Sequence, residues 1–160
     1  MVGLNCDHPD IYEFLHIKQN EEKLSSMNIS ILFTDEFMEA VKNDTDYTLR
    51  YHVESTGENI ERVIRARDFF MEFCETQWDW GDPGALFSDR LNDYHLLAGY
   101  PEYKIEITNP CGEFGGNAYN ACNLASINLY SMIDDKFSDE PKLNEEKFRQ
   151  TVYDLSLIHI

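Results

Sequence analysis

Cations are the scarcest chemistry in this chain: 13 Lys and Arg stand against 30 Asp and Glu, for a formal net charge of -17. A groove for phosphate backbones needs clustered cations, whereas Arg62, Arg65 and Arg67 are interleaved with Glu58, Glu61 and Asp68, so nucleic acid is excluded as a partner. The acidity reads as a device for solubility. One helix N-terminus can still hold a small phosphorylated ligand without net positive charge. No apolar run approaches the ~18 residues that cross a bilayer. Met1 is followed by no basic region and apolar core of the secretory kind. A soluble, cytoplasmic protein with no membrane partner is expected. The 4 cysteines, at positions 6, 74, 111 and 122, are too few and too irregular for a secreted disulfide framework, and reduced thiols are expected. Internal repeats and low-complexity tracts are lacking as well.

What the sequence does contain is an alternation of helical and extended periodicity. Pro9 suits a first helical turn, and Ile11, Phe14 and Leu15 follow at helical spacing. Met27, Ile29, Ile31 and Phe33 alternate as in a strand; Thr34 or Asp35 then caps a helix to about Lys42, with Phe37, Met38 and Val41 on its buried side. Tyr47, Leu49, Tyr51 and Val53 predict a second strand before a turn at Gly57. Asn59 is expected to cap the longest helix, with Ile60, Val63, Ile64, Phe70, Met71 and Cys74 on one side until Trp80-Gly81-Asp82-Pro83-Gly84 ends it. Trp78, Trp80 and Tyr94 are expected to pack beneath that turn. His8 and His16 fit structural places at a helix entry.

Tyr103, Ile105 and Ile107 predict a strand, and Leu124 to Tyr130 another. Asn144 is then expected to cap a helix with Leu143 and Phe148 as a staple across its first turn. Strands alternating with helices argue an α/β architecture with substantially parallel strands, in which chemistry sits at strand ends. The chain is expected to be the interior of a longer protein, because Met1 leads directly into an apolar segment and the C-terminus falls within a helical run. Ser156 to Ile160 break that run and read either as a non-native tail or as a genuine buried strand or helix end.

The densest chemistry lies in Thr108-Asn109-Pro110-Cys111-Gly112-Glu113, followed by Cys122 in Ala121-Cys122-Asn123-Leu124-Ala125-Ser126-Ile127-Asn128-Leu129. Proline fixes the backbone before Cys111 and glycine frees it after, which suits a loop that presents a thiol. Four roles compete for Cys111. It can be a buried, inert small hydrophobe. A zinc site wants closer cysteine or histidine partners than the spacing of 111 to 122 provides, so no metal is expected. A nucleophilic thiolate wants a nearby cation or histidine, whereas the immediate charge is Glu113 and His95 is a candidate without supporting pattern. A thiol that reacts as a radical is not handicapped by a neighbouring carboxylate, since a thiyl is uncharged.

Asn-Pro-Cys-Gly-Glu after a strand, followed by Ala-Cys-Asn-Leu-Ala-Ser-Ile-Asn-Leu, closely resembles the catalytic core of ribonucleotide reductases. The Pro-Cys-Gly form is similar to the adenosylcobalamin-dependent class II enzymes. Cys6-Asp7-His8-Pro9-Asp10-Ile11, Asn28-Ile29-Ser30, Thr34-Asp35-Glu36-Phe37-Met38, Arg65-Ala66-Arg67 and Gly81-Asp82-Pro83-Gly84 fall in the family's order. The resemblance implies that residues 1–155 are part of a ten-stranded α/β barrel whose finger loop carries the radical cysteine. Cys111 is then the thiyl that removes the ribose 3′ hydrogen, Asn109 binds the sugar hydroxyls, Glu113 is the general base and Cys122 is one of two reducing thiols, its partner lying upstream. Thr108, Asn109, Gly112 and Glu113 are the implied substrate contacts. The implied substrate is a ribonucleoside di- or triphosphate, the cofactor adenosylcobalamin, the reductant thioredoxin or a similar dithiol, and the assembly a homodimer of the full-length protein. A class I enzyme, in which a metal-containing second subunit supplies the radical, is the alternative, as is a non-catalytic module that binds a nucleotide or partner. The resemblance departs from the family's commonest pattern at Phe114-Gly115-Gly116. The 160-residue chain alone is expected to be inactive.

Overall fold

The computed structural model describes residues 1–19 and 26–157. The chain divides into two compact units, Met1–Ala121 and Cys122–Ile160. The larger is built on three parallel strands, β1 (Val2–Asn5), β2 (Ile29–Phe33) and β5 (Gly84–Phe87), in the order β1-β2-β5. Helix α1 (Ile11–His16) lies in the β1-to-β2 connection, and the longer connection from β2 to β5 carries α2 (Asp35–Asn43), strands β3 (Asp46–Val53) and β4 (Glu58–Arg65), and α3 (Ala66–Trp80). The strand expected from Met27 to Phe33 forms from Ile29, and its residues do not alternate in burial: all five are buried, because β2 is the central strand.

One face of the sheet carries the core. Phe33 meets Phe37 of α2, Phe70 and Phe73 of α3, and Phe87 of β5 at ring separations of 5.1 to 6.2 Å. Cys6, Ile11, Leu15, Tyr47, Leu49, Ile64 and Phe69 belong to the same buried cluster. Helix α2 is capped as its sequence requires: Thr34 Oγ1 accepts from the Phe37 N–H at 3.1 Å.

The segment from Glu58 to Arg65 corrects the expected helix. It is a strand, paired antiparallel with β3 in the register Tyr47↔Ile64 to Val53↔Glu58, and α3 begins only at Ala66. Ile60, Val63 and Ile64 satisfy helical spacing, but they are β-branched, and the adjacent β3 offers a full ladder. The Trp78, Trp80 and Tyr94 cluster is corrected as well. Helix α3 buries Ala66, Phe69, Phe73 and Thr76, which turns Trp78 outward; Trp78 and Tyr94 are 90% and 91% exposed.

The smaller unit holds a two-residue pair, β8 (Ile133–Asp134) with β9 (Lys142–Leu143), and helix α5 (Glu145–Ser156). Asn144 caps α5 as expected, its Oδ1 accepting from the Lys147 N–H at 2.9 Å. The strand expected over Leu124 to Tyr130 is not formed: residues 121–128 join no ladder, and a 3₁₀ turn spans Leu129–Met132. An apolar run becomes a strand only where another strand receives its backbone groups. Ser156 belongs to α5, and the last three residues of the expected tail lie outside the described ones. Among the described residues no helix is long and apolar enough to cross a membrane.

Candidate active site

Beyond β5 the chain forms α4 (Ser88–Asp93), a 3₁₀ turn at Pro101–Tyr103, and a short hairpin of β6 (Ile107–Thr108) and β7 (Gly115–Gly116). The strand expected from Tyr103 is therefore reduced to two residues. Tyr103 sits in the turn, and Ile105 is paired by a side chain instead of a strand: Asn92 Oδ1 accepts from its N–H at 2.9 Å. The hairpin lies on the sheet face opposite the aromatic core. A Cβ added to Gly3 would fall 2.6 Å from Leu32 Cδ1 and 3.1 Å from Ile107 Cδ1.

The hairpin's loop is the Cys111 segment, and Asn109 closes it on itself. Its N–H donates to the Phe114 carbonyl at 3.1 Å, while its Oδ1 accepts from the Phe114 N–H at 3.1 Å. Its carbonyl accepts from the Gly112 N–H at 3.0 Å and from the Thr108 hydroxyl at 2.9 Å. Asn109, Pro110, Cys111 and Gly112 thus form a turn with proline at the second position, where its fixed φ is favoured. Gly112 has φ +80°, a conformation that a side chain would strain. Cys111 and Glu113, two residues apart in the loop, are both exposed, Asn109 is half-buried and Thr108 is buried. Among the described residues no hydrogen bond engages Asn109 Nδ2.

Two hollows flank this hairpin. One, of about 420 Å³, lies at the C-terminal ends of the parallel strands, where α/β folds place their chemistry. Asn5, Asp7, Thr34, Ser88, Lys104 and Glu106 line it. The other, of about 400 Å³, is lined by His95, Tyr103, Phe114, Asn117 and Tyr119 among others. At the α2 N-terminus beside the first hollow, the Asp35 amide donates to Asp89 Oδ2 at 2.7 Å and the Phe37 amide donates to Thr34 Oγ1 at 3.1 Å.

The candidate residues are gathered in part. Thr108, Asn109, Cys111, Gly112 and Glu113 share the one loop, whereas Cys122 is exposed and begins the second unit. Cys6 is buried in the core, where burial pushes its thiol up from the usual range, partly offset by hydrogen bonding to Thr34. Cys74 is half-buried on α3. Among the described residues no group of three or more His, Cys, Asp and Glu side chains could hold a metal ion. Sequence reasoning does not find Asn92: its partner Ile105 is 13 residues away, and no motif in a single sequence marks such a pair.

A hairpin that presents an exposed cysteine beside a glutamate, against the ends of parallel strands, is the arrangement on which the family match falls. Residues 1–156 match the family "Ribonucleotide reductase, barrel domain", and the chain belongs to that family. Among individual proteins, it is 36% identical over 151 residues to the vitamin B12-dependent ribonucleoside-diphosphate reductase of Thermoplasma acidophilum, covering 94% of this chain and 18% of that protein. It is 36% identical over 146 residues to the protein of the same description from Mycobacterium tuberculosis (strain CDC 1551), covering 91% of this chain and 20% of the relative. With the vitamin B12-dependent ribonucleotide reductase of Streptomyces clavuligerus the identity is 32% over 176 residues, or 95% of this chain and 18% of the relative. The chain therefore spans about a fifth of the length of these relatives.

Proposed function

We propose that this chain supplies the catalytic-loop segment of a cobalamin-dependent ribonucleotide reductase, acting within a full-length protein that makes deoxyribonucleotides from ribonucleotides. The observation that carries the reading is the self-closed Asn109 loop with Cys111 exposed at its tip. Inert core cysteines are buried, and a zinc ligand would have companions; this thiol is exposed on a turn closed by Asn109, with Glu113 two residues on. The relatives named above are B12-dependent proteins, which favours cobalamin over a metal-containing second subunit.

The fit of the cofactor to these residues rests on access. A radical donor asks of this segment a thiol it can approach, and Cys111 is exposed, with open space on the Cβ side of Gly112. Adenosylcobalamin, if bound in the full-length protein, would supply radical chemistry, and Cys111 would be the residue that gives up its thiol hydrogen. Cys111 then removes the ribose 3′ hydrogen. Glu113 accepts the 3′-hydroxyl proton, a role open to a carboxylate within hydrogen-bond reach. Asn109 donates through Nδ2, which has no partner among the described residues, to a sugar hydroxyl, since its Oδ1 is held by Phe114. Thr108 and Gly112 contribute through the backbone; the Thr108 hydroxyl already donates to Asn109. Cys122 and a second thiol elsewhere in the full-length protein reduce the substrate as the 2′-hydroxyl leaves as water, and a thioredoxin-type dithiol restores them. Cys6, sealed in the core, does not serve as that second thiol.

The test is turnover of a ribonucleoside diphosphate and a triphosphate by the full-length protein with a dithiol reductant, with and without adenosylcobalamin. Cobalamin-dependent product is expected from the wild type and none from Cys111→Ser, with nucleotide binding unchanged. Turnover by Cys111→Ser would reject the radical assignment. Activity that appears only with a metal-containing partner would reject the cofactor.

A further inference from the structure

Asn92 belongs to none of the residues assigned above, yet its side-chain amide is satisfied on both ends. Nδ2 donates to the Ile105 carbonyl at 3.0 Å and to the Ser88 carbonyl at 2.9 Å, and Oδ1 accepts from the Ile105 N–H at 2.9 Å. Both backbone groups of Ile105 are thus paired by one side chain, as a neighbouring strand residue would pair them. Ile105 is the last point before the hairpin closes. The next residue, Glu106, donates its N–H to the Gly116 carbonyl at 2.9 Å, and β6 with β7 then hold the Asn109 loop. The Ile105 side chain also reaches the returning strand: a Cβ on Gly115 would fall 2.9 Å from its Cδ1.

The anchor end is equally defined. Helix α4 follows β5 without a break, and Ser88 Oγ donates to the Phe33 carbonyl at 3.2 Å at the end of the central strand. A continuous series of hydrogen bonds and contacts therefore runs from Phe33 through Ser88, Asn92 and Ile105 to Gly115. A residue whose work was only to close α4 would need the Ser88 carbonyl alone; the two bonds to Ile105 lie outside the helix. The geometry points to Asn92 as a positioning residue that fixes the height and register of the Cys111 loop over the ends of the parallel strands. The inference rests on the radical-cysteine reading proposed above. Its consequence is kinetic, because a displacement of about 1 Å at reacting atoms costs on the order of 100-fold in rate.

The experiment uses the full-length protein with Asn92→Ala, Asn92→Asp and, as reference, Cys111→Ser, and reads amide hydrogen exchange of residues 105–116 beside kcat and KM. Asn92→Ala is expected to speed exchange of that hairpin by about tenfold or more while leaving the parallel strands protected. It is expected to lower kcat by on the order of 100-fold with KM little changed. Asn92→Asp keeps the acceptor for the Ile105 N–H and loses both donors, so it falls between wild type and Asn92→Ala in both readouts. Unchanged exchange in Asn92→Ala overturns the clamp, and so does faster exchange with kcat within about twofold of wild type. Exchange that rises equally in β1, β2 and β5 overturns it too, since that is loss of fold. Full turnover by Cys111→Ser removes the reading beneath the inference, and is told apart because exchange in Asn92→Ala is measured without turnover.

Discussion

Four cysteines occupy three environments, and each environment dictates a reactivity. Cys6 is fully buried and its thiol is pushed up by desolvation, Cys74 is half-buried among the core's edge residues, and Cys111 and Cys122 are exposed. Thiolate fraction and access together set the alkylation rate. Brief treatment with iodoacetamide under native conditions should therefore label Cys111 and Cys122 first, Cys74 more slowly and Cys6 only on unfolding, as read by mass spectrometry of the digested peptides. Early labelling of Cys6 would refute the packing of β1 against the core. The special place of Cys111 is legible in the sequence because proline and glycine mark a turn by their own backbone limits. The way Asn109 secures that turn is not, since its bonds to Phe114 exist only once the hairpin has closed. The outward aspect of Trp78 is hidden for a similar reason: composition says that aromatics pack, but only the register of α3 says which of them do.

At the scale of elements, a capping residue guides only where a helix follows it: Asn59, expected to cap the longest helix, lies within β4 opposite His52 of β3. Thr34 and Asn144 cap as expected because the hydrogen bond spans three residues and needs nothing from elsewhere. Glu58 to Arg65 defies its apparent helical pattern because helical spacing and a β-branched strand fit the same letters, and β3 decides between them. Arg65-Ala66-Arg67, quoted above as part of a resemblance, acquires a local reason. Arg67 donates to the Val41 and Lys42 carbonyls at 3.0 and 2.7 Å, and Arg65 donates to the Asp44 carbonyl at 2.6 Å, satisfying the C-terminal end of α2. The other end of α2 depends on Thr34, whose hydroxyl also lies 4.0 Å from Cys6 Sγ. Thr34→Ala should cost about 1 kcal/mol of stability, with Thr34→Ser restoring most of it, as measured by urea denaturation. An equal loss in both variants would mean that the threonine methyl packs and that the cap is incidental.

For the whole molecule the governing quantity is charge. With 30 acidic against 13 basic residues, most carboxylates have no cation available, and self-repulsion acts on every compact state of the chain. The described ion pairs are mostly exposed. Arg65 with Asp44 and Asp46, and Arg67 with Asp44, have side chains 44% to 63% accessible to solvent, so each contributes little. Salt acts in two opposing ways: it weakens these pairs, and it screens repulsion among the surplus carboxylates over distances beyond about 8–10 Å. Relief of repulsion wins, because 17 negative charges remain after every cation is matched. The thermal midpoint of the 160-residue chain near neutral pH should therefore rise when sodium chloride is raised from about 10 to about 200 mM, the range over which the Debye length contracts several-fold. A fall instead would mean that the Arg65 and Arg67 pairs outweigh the net repulsion, and replacing both arginines by Gln would then remove that fall. Lys18 with Asp82 is the informative control: that pair is largely buried at 2.6 Å, salt screens it least, and Lys18→Met should lower the midpoint by a similar amount at both salt concentrations.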